Sequence, residues 1–126
     1  MNSIHMDTQS SPLLSVIVVS FNEIKVLENC LAALLDQEDA GRMEVHVIRK
    51  QARPDSMVSD NRVNIHWHQV EEQTTIPDMR RIGIERSGAA RVALLEDDCI
   101  PGSGWLQAVL TNHDSGRQVK IGRAHV

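Results

Sequence analysis

The sequence VALLEDDCIPGSGWL, residues 92–106, decides the fold. Its first four residues are uniformly apolar, which is typical of a strand that is covered on both faces of a parallel sheet. Three acidic residues follow directly, Glu96, Asp97 and Asp98, and a helix is predicted to begin at Trp105. Because open α/β sheets bind ligands at the carboxyl ends of their strands, this stretch predicts a central strand with a candidate site at its end.

Residues 14–22, LSVIVVSFN, predict a second central strand, since residues 16–19 are β-branched and apolar on both faces. A helix is predicted after it, because five apolar residues recur at the spacing of one helical face. These residues are Leu27, Cys30, Leu31, Leu34 and Leu35. We expect Ser20 or Asn22 to cap this helix, with Glu23 completing a capping box.

The rest of the chain continues the alternation of strands and helices. Residues 44–49 and 63–70 predict two further strands, the second at an edge of the sheet because it is polar. Pro77 predicts the start of a short helix, and Ser87 and Gly88 its end. The predicted fold is α/β and Rossmann-like, a mostly parallel sheet of about four strands with helices on both faces. We expect the strands at 16–19 and 92–95 to be neighbours, with the acidic residues within about 15 Å of Phe21.

Length, charge and composition exclude several classes of protein. The 126 residues fit one domain. The 13 basic and 17 acidic residues give a net charge of -4, which argues against a nucleic-acid partner. The longest apolar run, residues 13–19, is broken only by Ser15 and is far shorter than the roughly 20 residues of a transmembrane helix. Cys30 and Cys99 lack the spacing of a metal site or a disulfide framework, so we predict a reducing, cytoplasmic location.

The two ends of the chain are predicted to lie outside the folded domain. Residues 1–12 contain no Lys or Arg, and we expect them to be a disordered leader. The last six residues, IGRAHV, are the translation of ATC GGA AGA GCA CAC GTC, which belongs to a widely used short-read sequencing adapter. We therefore expect residues 120–126 to be a non-native tail and residues 13–119 to be the domain.

The acidic residues 96–98 need a partner of opposite charge, because adjacent carboxylates repel one another. A divalent cation, Mg2+ or Mn2+, is a natural partner, since these ions prefer oxygen ligands and are commonly held by one or two carboxylates and substrate phosphates. The alternative is a solvated turn in which an Asp side chain accepts from the following backbone N–H groups. The tripeptide alone leaves both interpretations open.

Three segments together resemble the family-two glycosyltransferases of the GT-A fold. Residues 14–22 resemble the opening strand of the family, and residues 79–85, MRRIGIE, are similar to its Ala-Arg-Asn-x-Gly-Ile helix. Residues 92–106 resemble its strand, D-x-D acid cluster and Pro-Gly-Trp-Leu helix start. The resemblance, over residues 13–112, implies that residues 13–119 are the nucleotide-sugar-binding half of a GT-A domain. Such a domain transfers a glycosyl group from a nucleotide-sugar donor to an acceptor, which the sequence does not identify.

The resemblance also implies roles for the acidic residues. Asp98 and Glu96 correspond to the two acids of the D-x-D motif. Asp98 would ligate a divalent metal, Mg2+ or Mn2+, that bridges the donor diphosphate, with Glu96 as the second acid. Glu96 or Asp97 would contact ribose or sugar hydroxyls.

The other implied site residues lie in the first strand end and in the helix at 79–85. Ser20, Phe21 and Glu23 would border the nucleobase, with Phe21 providing an apolar stacking surface. Arg80 would donate to base or phosphate oxygens as a planar donor group. Its alternative is an exposed helix residue that pairs with Glu85 or another surface acid.

The residues after the second strand, Arg49, Lys50 and Gln51, depart from the family pattern. The family usually has Asp-Asp-Gly-Ser at this place, and the first Asp hydrogen-bonds the uracil ring. Two cations in place of that acceptor put a preference for uridine nucleotides in doubt. We expect Arg49 and Lys50 to face solvent rather than phosphates.

Other functions stay open at this stage. They are a noncatalytic nucleotide-binding or interaction module and, with less support, a receiver-type signalling domain. The catalytic base and the acceptor site of the family belong to a second half that we do not expect in this chain, so no catalytic residue is assigned. His66 and His68 would share one strand face as a metal pair. No third ligand is close in the sequence, and we expect an exposed polar edge there.

Overall fold

The computed structural model of the protein describes residues 11–57 and 63–114. Its four strands form one sheet with the order β3-β2-β1-β4. The strands are β1 Leu14–Ser20, β2 Met43–Arg49, β3 Asn64–Gln69 and β4 Val92–Glu96. All pairings in this sheet are parallel, so the predicted fold class is confirmed. The predicted leader, except for Ser11 and Pro12, and the predicted tail lie outside the described residues, and both stay predictions.

β1 lies in the middle of the sheet, and all seven of its residues are buried. Val16 pairs with Val45 of β2 on one side and with Ala93 of β4 on the other. The predicted pairing of the two most apolar strands is therefore confirmed. The carboxyl ends of β1 and β4 lie side by side as a result, and the acidic residues come close to Phe21.

In the described part of the chain, three α-helices cover the sheet: α1 Ile24–Leu35, α2 Ile76–Arg86 and α3 Trp105–Asp114. On one face, Leu27 of α1 and Leu106 of α3 join Val16 in a core of buried side chains. On the other face, Met79 of α2 packs with Ile17. Successive residues of a strand point to opposite faces, so β1 contributes to both cores. The prediction of helices on both faces is confirmed.

The start of α1 differs from the predicted capping. Glu23 is the N-cap residue, and no side chain makes a capping hydrogen bond there. The side chains of Ser20 and Asn22 donate instead to the carboxylate of Asp97. The predicted capping box is wrong, because a partner distant in the sequence binds the polar groups that local pattern assigns to the helix.

α2 lies against β1 at Gly83. A Cβ atom at position 83 would overlap the Cγ2 atom of Ile17. Ile17 is fully buried and β-branched, so its side chain has few alternative rotamers in which to make room. Packing against the sheet therefore requires glycine at this position.

Replacing Gly83 with alanine should destabilise the protein, although alanine favours an α-helix over glycine by about 1 kcal/mol. Overpacking a well-packed core costs typically about 1–3 kcal/mol, and we expect this cost to exceed the helix gain. Urea denaturation should show a lower free energy of unfolding than in the parent protein. Gly102→Ala is the control, because a Cβ at position 102 has nothing within 4 Å. A gain of stability in Gly83→Ala would contradict the close approach.

Candidate functional site

The candidate site lies where β1 and β4 end side by side. The backbone N–H of Asp97 donates to the carbonyl of Val19 (3.0 Å), which aligns the two strand ends. The N–H of Cys99 donates to the carbonyl of Glu96 (3.0 Å), so the acidic residues form a turn. We call this region the carboxyl edge; it comprises Ser20, Phe21, Asn22, Glu23, Arg49, Arg80, Glu96, Asp97 and Asp98.

Asp97 is fully buried and connects the ends of β1 and β4. Its Oδ2 accepts from the Ser20 hydroxyl (2.9 Å), the Phe21 N–H (3.1 Å) and the Asn22 N–H (2.9 Å). Its Oδ1 accepts from the side-chain amide of Asn22 (2.7 Å). These bonds satisfy the carboxylate within the protein. Asp97 thus positions residues 20–22 and is not presented to solvent.

Arg49 is buried beneath the same turn, which makes the expectation that it faces solvent wrong. Its Nη1 donates to the Ser20 hydroxyl (2.7 Å) and to the carbonyl of Asn22 (2.7 Å). The same atom lies 4.0 Å from Oδ2 of Asp97. A buried guanidinium needs a charged or hydrogen-bonded partner, and the buried acid that follows β4 provides one. Lys50 is only partly buried.

Arg80 of α2 reaches the end of β4. Its Nη2 lies 3.3 Å from Oε2 of Glu96, with side chains 40% and 24% exposed. The pair connects the helix on one face of the sheet to the acidic turn. Arg81, the next residue, makes the local helix pair with Glu85 instead (3.1 Å). Arg80 therefore pairs with an acid of the candidate site and not with the helix neighbour that the alternative named.

The remaining predicted site residues differ in exposure. Ser20 is at the carboxyl edge but buried, and its hydroxyl is engaged by Asp97 and Arg49. Phe21 is 46% exposed. Glu23 and Asp98 are exposed as well. The three acids thus have three environments: Asp97 inside, Glu96 half-buried against Arg80, and Asp98 in solvent.

Gln37, which sequence reasoning did not single out, holds the segment that follows the acidic turn. Its side-chain amide donates to the carbonyl of Gly102 (2.9 Å), and its Oε1 accepts the N–H of Leu106 (3.0 Å). Gln37 is buried, so both bonds are shielded from water. The residues between β4 and α3 are thereby fixed to the end of α1.

Cys30 lies behind the acidic turn, in the apolar core. Burial, and to a smaller extent the charges of Cys99, Asp97 and Asp98, together raise the pKa of its thiol to about 12. The thiol therefore stays protonated at neutral pH and is a poor nucleophile. The prediction of a core cysteine agrees with its full burial.

A second group of polar residues lies on β2 and β3, away from the carboxyl edge. Glu44, His46 and His66 each offer one ligand atom, and these atoms lie within 4.8 Å of one another. Within residues 11–57 and 63–114 this is the one group of three or more His, Cys, Asp or Glu with that geometry. Sequence reasoning found His66 but missed Glu44 and His46. Their alternation on the adjacent parallel strand was the available signal, since it places all three on one face.

The described part of the chain contains no helix that is both long enough and apolar enough to cross a membrane.

Replacing Asp97 with asparagine should destabilise the protein far more than the same change at Asp98. Removing one partner of a buried ion pair typically costs about 3–5 kcal/mol, and asparagine also brings a donor toward groups that already donate. Asp98 is exposed, so Asp98→Asn should change the free energy of unfolding by less than about 0.5 kcal/mol. Chemical denaturation of both variants provides the comparison. Equal stability of the two variants would contradict the structural role of Asp97.

Comparisons with known proteins identify the family. The family model described as Glycosyl transferase family 2 matches residues 15–125. The chain is also similar to the Glycosyltransferase AglE of Haloferax volcanii, with 28% identity over 106 residues, or 79% of this chain. The chain spans 35% of the length of that relative. The receiver-type alternative is therefore wrong, the predicted resemblance is confirmed, and the chain belongs to glycosyl transferase family 2.

Proposed function

We propose that the chain binds a nucleotide-sugar donor at the carboxyl edge, as part of a glycosyltransferase that transfers the sugar to an acceptor. The observation that carries this proposal is that the three acids differ in burial and in hydrogen-bond partners. Asp97 fixes the turn from inside, which leaves Glu96 and Asp98 at the surface beside an exposed aromatic ring. A ligand with a planar base and a charged diphosphate fits this combination, because the ring offers a stacking face and the acids offer oxygen ligands to a bridging cation.

A divalent ion, Mg2+ or Mn2+, fits the donor set of Asp98 and Glu96. Both side chains offer oxygen only, which these ions prefer. One or two carboxylates hold such an ion incompletely, and substrate phosphates complete its coordination. When bound, the ion would neutralise the diphosphate and stabilise the charge of the leaving nucleotide. Asp98 is the main ligand in this proposal, because Glu96 is already paired with Arg80.

Arg80 orients Glu96 and can also contact the donor. Its guanidinium has five N–H donors, and the hydrogen bond to Glu96 uses one nitrogen. Its side chain is 40% exposed, so other N–H groups face solvent at the carboxyl edge. We assign these groups to phosphate or base oxygens of the donor. Glu96 is then available for ribose or sugar hydroxyls.

Base recognition differs in our proposal from the uracil contact of the family. Phe21 and Glu23 border the base. Ser20 is buried and contributes indirectly, through the hydrogen bonds of its hydroxyl with Asp97 and Arg49. Arg49 stands where the family usually has an acceptor for uracil, and its donors point inward to Ser20 and Asn22. No acid at this position selects the base. We therefore expect discrimination between uracil and guanine to be weak.

We propose that the acceptor site and the catalytic base lie outside the described residues. This agrees with the length of the relative, of which the chain spans 35%. We also propose a cytoplasmic, reducing location, since the spacing of Cys30 and Cys99 is not that of a disulfide framework.

Metal and nucleotide should bind cooperatively, because each completes the site for the other. Mn2+ should raise the affinity of the full chain for UDP or GDP, and the coupling between two such ligands is typically about 5–150-fold. Asp98→Asn should remove most of this gain without unfolding the protein. Calorimetric titration of each nucleotide with and without Mn2+ measures both effects.

The matched control is Asp36→Asn, an exposed Asp that follows the last residue of α1, at the other end of the helix from Glu23. It should leave the coupling unchanged. Equal nucleotide affinity with and without Mn2+, or undiminished coupling in Asp98→Asn, would return residues 96–98 to a solvated turn. Nucleotide binding without sugar transfer in the complete protein would favour the noncatalytic module instead.

A further inference from the structure

The group formed by Glu44, His46 and His66, which we call the His-Glu cluster, has the features of a separate metal site. Glu44 and His46 are two residues apart on β2 and share one face. His46 pairs with His66 of β3, which places His66 on the same face. Two neighbouring strands thus contribute three ligand-type side chains to one location. On this face of the sheet, Ile17 and Ile48 belong to the core under α2, and the cluster lies beside that core.

The distances in the cluster suit a small tetrahedral ion. Oε2 of Glu44 lies 2.9 Å from Nε2 of His46, and Oε1 of Glu44 lies 3.8 Å from Nε2 of His66. In a tetrahedral zinc site with bonds of about 2.0–2.1 Å, neighbouring ligand atoms are about 3.3 Å apart. With one ligand atom taken from each residue, all three atoms lie within 4.8 Å of one another, so binding would bring them closer by at most about 1.5 Å. Small side-chain shifts therefore bring the three ligand atoms to a common ion.

The carboxylate of Glu44 is held in place by residues of the surrounding loops and strands. Its Oε2 accepts from the Ser15 hydroxyl (2.7 Å) and from the N–H of Gly88 (2.6 Å). Burial by itself would raise the pKa of Glu44, but the hydrogen bonds from Ser15, His46 and Gly88 outweigh it, and the pKa is lowered. The hydrogen bonds from Ser15 and Gly88 thus hold the Glu44 carboxylate beside the imidazole of His46.

His46 has the outer partner that metal-binding histidines usually have. Its Nδ1 lies 2.9 Å from Nε2 of His68, on the side opposite to Glu44. Without an ion, Nε2–H of His46 donates to Glu44 and Nδ1 accepts from Nε2–H of His68; an ion bound at Nε2 would take the place of that proton, and Nδ1–H would then donate to His68. Such a second bond fixes both the tautomer and the orientation of a ligating ring.

We propose that Glu44, His46 and His66 bind a divalent transition-metal ion of the zinc type, which connects the edge strand β3 to β2. Two imidazoles and one carboxylate suit Zn2+, whereas Mg2+ and Mn2+ prefer oxygen ligands. The side chain of His66 is 45% exposed and opens the cluster to solvent, while those of His46 and Glu44 are 3% and 11% exposed. The ion therefore has an entry path, and water can complete its coordination.

The His-Glu cluster is distinct from the carboxyl edge. Glu44 pairs with Ser15, whereas Asp97 follows the residue of β4 that pairs with Val19. A strand rises about 3.3 Å per residue, so these levels differ by about 13 Å along β1. The two sites thus take different ions at opposite ends of the sheet. No described residue of the cluster approaches the acidic turn, and the role that follows is stabilisation of the sheet.

The test is calorimetric titration of the chelator-treated full chain with ZnCl2. We expect one equivalent of Zn2+ to bind at micromolar concentration or below, and to raise the Tm, because an ion that binds only the folded state stabilises it. Co2+ in place of Zn2+ should give the visible absorption of a low-coordinate nitrogen and oxygen site. His66→Ala should weaken Zn2+ binding at least about 100-fold and abolish the Tm shift, since loss of an outer partner alone typically costs 10–100-fold.

Two further variants separate the cluster from other sites. His68→Gln should weaken Zn2+ binding by about 10–100-fold as a positioning effect. Asp36→Asn, which removes an exposed acid that belongs to neither site, should bind Zn2+ as the parent chain does. His66 lies at the surface, so His66→Ala should fold even if variants of the buried His46 do not. Unchanged Zn2+ affinity in His66→Ala, or no binding by the parent chain at micromolar concentration, would overturn the proposal.

Discussion

The buried carboxylate of Asp97 is the interaction on which the carboxyl edge depends. It accepts four hydrogen bonds from three consecutive residues, Ser20 to Asn22, and it faces the guanidinium of Arg49. These contacts join the ends of β1, β2 and β4 at one point. A carboxylate removed from water is costly unless donors surround it, so the loops around Asp97 must adopt one conformation. The exposed groups of the candidate site are carried by loops that this requirement holds in place.

This arrangement also explains how three consecutive acids can coexist. Asp97 turns inward to Arg49, Glu96 pairs with Arg80 from α2, and Asp98 extends into water, where charge is well solvated. Like-charge repulsion between neighbours is thereby reduced before any cation binds. The two arginines come from different elements, since Arg49 lies at the end of β2 and Arg80 lies on α2. Each acid thus has a different partner: Arg49 for Asp97, Arg80 for Glu96 and solvent for Asp98.

Much of the fold could be predicted from the sequence. The spacing of apolar residues distinguishes strands from helices, and the apolar content of each strand indicates its place in the sheet. The two uniformly apolar strands, the edge strand and the start of α3 all lie where their residues indicate. The failures have one physical cause: a polar side chain chooses its partner in three dimensions. Ser20 and Asn22 bind Asp97, not the helix that follows them, and Arg49 is buried by the same acid. Glu44 and His46 could be recognised as possible metal ligands only once the register of β2 and β3 was known.

The close contact between Gly83 and Ile17 has a consequence for the surface as well as for the core. Arg80 lies one turn before Gly83 on α2, so the spacing between helix and sheet determines how far its guanidinium reaches beyond the strand end. A larger residue at position 83 acts as a spacer that withdraws Arg80 from Glu96. A substitution hidden from solvent would then lengthen the distance between Arg80 and Glu96 at the surface.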